Sequence, residues 1–179
     1  MSRRRHLAKG QVSATSHCIR EGTVWSDLHL RYDVTMMDHN LPFATPPAAL
    51  LEAALYVSDI DAAERFYGDI LGLDPIVRVG NRHVFYRVGA GILLIFNPEE
   101  TCKPPNNPEL PVPAHGAQGP GHFCFAVEGL ALDDWCARLE AAGVEIEADF
   151  HWPNGARSLY FRDPAGNSIE MAEPRLWEK

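Results

Sequence analysis

Apolar and polar positions repeat one order of elements twice along this chain: a strand, a helix and three short strands. The first copy opens with an apolar strand over residues 51–57, after which Ser58 or Asp59 is placed to cap a helix that runs to about residue 71. Strands follow at about residues 75–79, 83–87 and 92–96, separated by glycine-containing turns. The buried stripe of the helix is predicted at Ala62, Phe66 and Ile70.

The second copy begins after a proline-rich stretch. Seven prolines lie between residues 98 and 120, and their fixed φ and missing N–H groups predict a linker without a helix or a central strand. A strand is then predicted over residues 122–127, a helix over about 132–142, and strands over about 144–150, 158–162 and 168–173. The apolar stripe of this helix is predicted at Leu132, Trp135, Cys136 and Leu139.

Residues 160–174, which read YFRDPAGNSIEMAEP, have a shorter echo in residues 86–98, YRVGAGILLIFNP, as expected for a duplicated unit. Each unit covers one sheet face with its own helix and has to bury the other face against a partner. We therefore predict an α+β fold of two βαβββ modules that pair to enclose a cavity. The predicted parts are an N-terminal extension (1–47), module 1 (48–98), a proline-rich linker (99–120) and module 2 (121–176).

The charge of the chain narrows the class of partner. The 179 residues carry a formal net charge of −8, which disfavours binding to nucleic-acid phosphates. A small neutral or anionic molecule is the expected partner. No stretch approaches the about 20 apolar residues that cross a bilayer, so no membrane association is predicted.

The first 20 residues differ in composition from the rest of the chain. They contain five basic residues, no acidic residue and no apolar core of a secretory signal. This composition fits an organelle transit peptide, a disordered tail or a start codon assigned too early, for which Met36 and Met37 offer later starts. We expect a cytoplasmic protein and exclude residues 1–47 from the functional argument.

The four cysteines lack the CxxC spacing of metal and redox sites, which predicts reduced thiols. Cys124 shares a strand face with His122, so a nucleophilic thiol is one interpretation of that position. A small buried side chain is the commoner use of cysteine and is the alternative.

Alternation along three strands places one polar group among small side chains. In residues 122–127, Phe123 and Phe125 point to one face, whereas His122 points to the other face beside a cysteine and an alanine. The last strand likewise places Glu170, and the first strand Glu52, opposite large apolar neighbours. A packed core would fill these faces with leucine and isoleucine, so the small side chains indicate room for a ligand.

One imidazole and two carboxylates form a hard to intermediate donor set, which suits Mn²⁺, Fe²⁺, Ni²⁺ or Zn²⁺. The alternative is that the three residues are structural. In that interpretation Glu52 is solvated at a strand start, His122 is a hydrogen-bonded core histidine and Glu170 pairs with an arginine.

The repeated unit, with HFCFAV opening its second copy and YFRDPAGNSIEMAEP closing it, resembles the vicinal oxygen chelate superfamily over roughly residues 49–176. That superfamily includes glyoxalase I, methylmalonyl-CoA epimerase, extradiol dioxygenases, fosfomycin-resistance transferases and bleomycin-resistance proteins. The motif FRDPAGNSIE is specific for the superfamily but not for one reaction.

The resemblance implies one divalent metal bound by Glu52, His122 and Glu170, although the family most often has histidine or glutamine where this chain has Glu52. Glyoxalase I and the epimerases take a fourth ligand from the position that Leu94 occupies here. The expected site therefore has three protein ligands and about three open positions for a chelating substrate. This pattern resembles the dioxygenases and fosfomycin transferases, although the dioxygenases use two histidines and one glutamate.

Residues 157–161, RSLYF, resemble the corresponding segment of bacillithiol-type fosfomycin transferases. Arginine and tyrosine near a metal are suited to bind an anionic oxygen, whereas loop capping and simple packing are the alternatives. The predicted substrate-binding residues are Tyr56, His115, Arg157, Ser158 and Tyr160.

Three hypotheses about function follow. The first is a metal-dependent lyase, isomerase or transferase in which Glu52 is the candidate general base. The second is a metal-free protein of the bleomycin-resistance type that binds a bulky drug, and the third is an extradiol-type dioxygenase. The resemblance also implies a homodimer, in which Glu52 of one chain can complete the site of the other.

Overall fold

Each of the two predicted modules forms its own four-stranded mixed sheet. The computed structural model describes residues 44–104 and 107–178, so most of the predicted N-terminal extension, with its alternative interpretations, lies outside the described residues. The elements of module 1 are β1 (Glu52–Tyr56), α1 (Ile60–Glu64), β2 (Pro75–Val79), β3 (His83–Val88) and β4 (Gly91–Phe96). Their sheet order is β1-β4-β3-β2, with β1 parallel to β4 and the other pairs antiparallel.

Module 2 repeats this arrangement. After the four-residue helix α2 (Pro98–Thr101), its elements are β5 (His122–Ala126), α3 (Ala131–Ala141), β6 (Ile146–His151), β7 (Arg157–Arg162) and β8 (Ser168–Ala172). Their sheet order is β5-β8-β7-β6, with β5 parallel to β8. The prediction of an α+β fold with two βαβββ modules is confirmed, because topology and pairing direction agree strand by strand.

The linker differs from the prediction at its start, where α2 forms one helical turn. Pro98 stands in that first turn, where its missing N–H group would have no partner in any helix. The side chain of Asn97 caps the turn by accepting a hydrogen bond of 3.0 Å from the N–H of Glu99. Further along the linker, the N–H of His115 donates to the carbonyl of Thr101 at 3.1 Å, which holds His115 beside module 1.

Helix α1 begins as predicted, because Asp59 accepts a hydrogen bond of 2.9 Å from the N–H of Ala62. Its predicted stripe is only partly right. Wider π-type turns continue the helix over Arg65–Ile70, where the N–H of Leu71 donates to the carbonyl of Phe66 five residues earlier. The wider turns rotate Tyr67 into the core beside Phe66, while Ile70 and Ala62 are only half-buried.

One apolar core joins both modules. It is formed by the helix-facing sides of the two sheets together with α1 and α3, and its fully buried members include Leu93, Ile95, Leu132, Leu139 and Ile169. The stripe predicted for α3 is therefore confirmed, with Trp135 and Cys136 packed at the core edge. The opposite faces of both sheets remain available for polar chemistry.

A buried polar cluster ties module 1 to module 2. The carboxylate of Asp163 accepts hydrogen bonds from the hydroxyl of Tyr67 (2.9 Å), the N–H of Ala165 (3.0 Å), and both the N–H and the side-chain amide of Asn167 (2.8 Å each). The Asn167 amide also donates to the carbonyl of Tyr56 and accepts from the N–H of Gly121 at 2.7 Å. The DPAGN turn of the motif thus links module 1 to module 2 through buried hydrogen bonds.

Across residues 44–104 and 107–178, none of the helices has the length and apolar character needed to cross a membrane.

Candidate functional site

The polar groups singled out in the sequence occupy equivalent positions in the two sheets. Glu52 lies opposite Ile92 in the β1–β4 pair, and His122 lies opposite Ser168 in the β5–β8 pair. One step along the same faces, Leu94 of module 1 takes the place that Glu170 takes in module 2. The duplication therefore provides one polar anchor in module 1 and two in module 2.

His122 and Glu170 are brought together on the outer face of the second sheet. Nε2 of His122 lies 3.4 Å from Oε2 of Glu170, and the side chains are 53% and 6% exposed, respectively. Nδ1 of His122 donates to the carbonyl of Ser168 at 3.1 Å, which leaves the lone pair of Nε2 directed away from that carbonyl. Such an orienting bond is typical of metal-binding histidines.

Glu170 is a buried carboxylate that lacks a full set of partners. Its Oε1 is buried and accepts no hydrogen bond from any described residue. Burying an uncompensated carboxylate is costly, so native structures usually pair such a group or bind a cation to it. Two donor atoms 3.4 Å apart also suit one cation, because metal–ligand distances are about 2.0–2.2 Å. The residues present therefore fit a divalent metal.

The Glu170 carboxylate affects two neighbours that face it across the strand pairs. Partial burial, and then the nearby carboxylate, raise the pKa of the Cys124 thiol to about 12. For Tyr160, partial burial, then the polar contact of its hydroxyl with the same carboxylate, and then the charge of that carboxylate raise the pKa to about 12. Both groups therefore stay protonated at neutral pH, which disfavours the nucleophilic interpretation of Cys124. The side chain of Cys124 is exposed, so it is not the small buried side chain of the alternative interpretation either.

A pocket of about 490 Å³ surrounds the pair. Tyr160, a predicted substrate-binding residue, lines it, with its ring stacked at 6.2 Å on that of His122. Ser158 is buried instead, and its hydroxyl accepts a hydrogen bond of 2.8 Å from Nε1 of Trp152. Sequence reasoning missed further lining residues from the β6–β7 turn and the last turn of the chain: Trp152, Pro153, Asn154, Leu176 and Trp177.

Glu52 lies in a different cavity, of about 840 Å³, on the outer face of module 1. One predicted substrate-binding residue, His115, lines that cavity. Its Nδ1 forms a hydrogen bond of 2.9 Å with the hydroxyl of Tyr56, a second predicted substrate-binding residue. Within residues 44–104 and 107–178 no group of three His, Cys, Asp or Glu side chains is placed to hold a metal ion. One chain therefore brings together two of the three predicted ligands, His122 and Glu170.

Arg157 lies on the helix-facing side of the second sheet, opposite to Ser158 and Tyr160. Its guanidinium donates to both carboxylate oxygens of Asp149, at 2.7 and 2.6 Å, and to Asp133 of α3 at 2.6 Å. These hydrogen bonds lower the pKa of the Asp149 carboxyl. The arrangement supports a structural role for this arginine, which joins β6, β7 and α3.

We expect Arg157→Gln to lower the free energy of unfolding by about 1 kcal/mol at pH 7, since a partly exposed bidentate pair is lost. The difference should shrink in acid. A carboxyl whose pKa is lowered in the folded state contributes stability above its unfolded pKa of about 3.9, and that contribution is lost as the pH falls further. Urea unfolding of both proteins at pH 7 and pH 3.5 measures this. Unchanged stability together with weakened ligand binding would instead support substrate contact.

Comparison with known proteins gives one family. The model described as the Glyoxalase/Bleomycin resistance protein/Dioxygenase superfamily matches residues 49–171. That range starts just before β1 and ends within β8, so it covers nearly all of both modules and contains all three predicted ligands.

Individual relatives carry different activities in their names. The crystal structure of lactoylglutathione lyase from Agrobacterium tumefaciens is 44% identical, covers 75% of this chain and all of its own, and superposes with a TM-score of 0.71. Metallothiol transferase FosB from Shouchella clausii is 28% identical over 69% of this chain and 78% of its own length. Virulence protein STM3117 from Salmonella typhimurium is 28% identical over 66% of this chain and 79% of its own length.

Proposed function

Because the chain belongs to the glyoxalase/bleomycin resistance protein/dioxygenase superfamily, also called the vicinal oxygen chelate superfamily, we propose that it is a divalent-metal-dependent enzyme. Its substrate is a small oxygenated molecule that chelates the metal. The observation that carries this proposal is the buried Glu170 carboxylate, whose Oε1 has no partner among the described residues and whose Oε2 faces Nε2 of His122.

The proposed ligands are Glu52, His122 and Glu170, and their oxygen and imidazole donors suit Mn²⁺, Fe²⁺, Ni²⁺ or Zn²⁺. When bound, such a cation supplies Lewis-acid chemistry that stabilises negative charge on a substrate oxygen. Leu94, buried and apolar, stands where module 2 has Glu170, so it adds no donor from module 1. A site with three protein donors keeps positions open for two substrate oxygens.

We place the complete site between two chains of a homodimer. Within one chain, Glu52 lines the module 1 cavity, whereas His122 and Glu170 line the module 2 pocket, and both outer faces are open. Two-fold symmetry brings the module 1 face of one protomer against the module 2 face of its partner and makes two identical sites. In this arrangement Glu52 of one chain supplies the third ligand to the site of the other, without any change in the fold of either chain.

The remaining side chains of the site have proposed roles of their own. The protonated Tyr160 hydroxyl is placed to donate a hydrogen bond to a substrate oxygen beside Glu170. Glu52, exposed on β1, is the group that can accept a proton from a bound substrate. These functions fit lyase, isomerase or transferase chemistry, and the names of the relatives include both a lyase and a transferase.

A complementation experiment tests the metal site and its division between chains. Glu52→Ala and Glu170→Ala chains are purified separately, unfolded, mixed in equal amounts and refolded together with Mn²⁺, Fe²⁺, Ni²⁺ or Zn²⁺. Half of the dimers are then mixed, and each mixed dimer has one intact site, so the bound metal should recover to roughly a quarter of the wild-type amount. Elemental analysis after gel filtration measures it.

The controls separate the two parts of the proposal. Refolding Glu170→Ala alone gives the background, and the wild-type protein gives the reference of about one metal per chain. Metal in the wild type without recovery in the mixture would place the site within one chain. A wild-type protein that takes up none of the four metals would overturn the enzyme proposal in favour of a metal-free binding protein.

A further inference from the structure

The two modules differ most at one end of their outer faces. Register pairs Tyr56 with Phe96 in module 1, whereas the equivalent positions of module 2 are both alanine, Ala126 and Ala172. The neighbouring strand adds Phe85 to the module 1 face, opposite Leu94. The duplicated framework thus carries small side chains beside the metal ligands of module 2 and large rings in module 1.

Five aromatic rings form a cluster at that end of the module 1 cavity. Phe96 is its centre, with edge-to-face neighbours at 5.7 Å (His83), 5.1 Å (Phe85) and 4.6 Å (His115). Tyr56 lies 6.2 Å away and is hydrogen-bonded to the ring of His115, which the linker supplies. Rings held edge to face by their neighbours present a preformed surface for another ring.

His83 gives this surface one polar atom that has no partner. Its ring stacks on Phe85 at 4.3 Å, and its Nδ1 is buried without a hydrogen bond to any described residue. The equivalent residue of module 2, Ser158, is satisfied by the indole of Trp152. A buried polar atom left unpaired in one module and paired in the other indicates that a ligand completes it.

The protonation of the His83 ring and its unpaired nitrogen together limit the groups that can pair with it. Burial, and then the Arg82 guanidinium, lower the pKa of the imidazole, so the ring is neutral at neutral pH. In a neutral imidazole one nitrogen donates and the other accepts, and a hydroxyl, which can do both, is able to pair with Nδ1 in either tautomer. The cationic side chains at the cavity rim are already engaged, since Lys103 pairs with the carboxylate of Glu100 and Arg82 donates to its carbonyl.

We infer that the module 1 cavity binds an aromatic tail of the substrate, with a neutral hydroxyl on the ring hydrogen-bonded to Nδ1 of His83. The inference rests on the proposed function for the other end of the substrate, where two oxygens meet the metal. Glu52 lines the same cavity, four residues before Tyr56 on β1. The site therefore selects an aromatic compound with vicinal oxygens rather than a short aliphatic one.

Matched hydroxamates test the aromatic tail of the substrate independently of its metal-chelating end. All of them chelate a divalent metal through the same two neighbouring oxygens and differ only in the group attached. Acetohydroxamate, cyclohexanecarbohydroxamate and benzohydroxamate are titrated into metal-loaded and metal-free protein, with binding followed by ligand-observed NMR. Benzohydroxamate should bind at least tenfold more tightly than acetohydroxamate, and more tightly than the cyclohexyl compound. The preference should persist without metal, although each ligand binds more weakly.

Two variants locate the preference. Phe96→Leu keeps an apolar side chain but removes the central ring, and it should reduce the advantage of benzohydroxamate while leaving acetohydroxamate unchanged. His83→Phe keeps the stacked ring on Phe85 and removes the nitrogen. It should abolish the roughly fivefold gain that 3- or 4-hydroxybenzohydroxamate shows over the parent compound in the wild type.

Each outcome separates the inference from the proposed function. Equal affinity for the aromatic, cyclohexyl and acetyl compounds in a metal-binding protein would overturn the aromatic tail and leave the metal site intact. An aromatic preference in a protein that takes up no metal would support aromatic binding in the module 1 cavity and overturn the proposal of a metal-dependent enzyme. A hydroxyl gain that survives in His83→Phe would remove His83 from the ligand contact.

Discussion

Glu170→Gln should lower the affinity for the proposed divalent metal by at least about 100-fold, because it replaces a proposed anionic ligand by a neutral amide of the same shape. The substitution should not destabilise the metal-free protein. Oε1 of Glu170 has no partner among the described residues, so the substitution relieves a buried charge and leaves the metal-free stability unchanged or raised by about 1 kcal/mol.

Thermal unfolding with and without metal separates a ligand from a structural carboxylate. At a metal concentration of 100 times its dissociation constant, the wild type should gain about 2.7 kcal/mol, and Glu170→Gln should gain almost nothing. Glu128→Gln is a matched control, since Glu128 is exposed just beyond β5 and lies outside the pocket. A Glu170→Gln protein that unfolds easily yet keeps its metal-dependent gain would assign Glu170 to the fold.

Most of the fold could be predicted from the internal repeat of the sequence. Alternation along 122–127 and 168–173 identified the face that bears His122 and Glu170, and the structure places these side chains within 3.4 Å of each other. Such a prediction succeeds because period-two alternation and strand pairing are local properties that one sequence contains. The strand register adds that Leu94 and Glu170 occupy equivalent positions of the two sheets.

The partners of polar groups were harder to predict because they come from distant parts of the chain. Arg157 meets Asp133, which lies 24 residues away on α3, and no spacing rule connects the two. Ser158 meets Trp152 across a turn that the sequence marks only by its Pro-Asn-Gly composition. Sequence periodicity also missed the π-type turns after Glu64, since they depend on how α1 packs rather than on its pattern.

The position of Glu52 relative to the other two proposed ligands could not be predicted from the sequence either. Two modules that share one core direct their polar faces into separate cavities, and a repeat cannot tell whether those faces meet within a chain or between chains. The DPAGN turn illustrates the same limit. Its resemblance to the family pointed to the neighbouring Glu170, a proposed ligand, whereas Asp163 and Asn167 of the turn bind the modules to each other.

Asp163→Ala should therefore destabilise the protein by about 3–5 kcal/mol, through loss of a buried, fully paired carboxylate. Asp163 is buried and accepts four hydrogen bonds, from Tyr67, Ala165 and Asn167. Removing it leaves the Tyr67 hydroxyl and the Asn167 amide buried with fewer partners. Because Tyr67 belongs to module 1 and Asp163 to module 2, the loss falls on the contact between them.

Urea unfolding of Asp163→Ala and of Asp74→Ala measures the effect, since Asp74 is exposed and its substitution should change the free energy of unfolding by less than about 0.5 kcal/mol. The Asn167 amide binds both the Tyr56 carbonyl and the N–H of Gly121, next to His122. We therefore expect Asp163→Ala also to weaken metal binding about tenfold in protein that is still folded. A destabilised variant with wild-type metal affinity would show that the turn secures the fold without positioning His122.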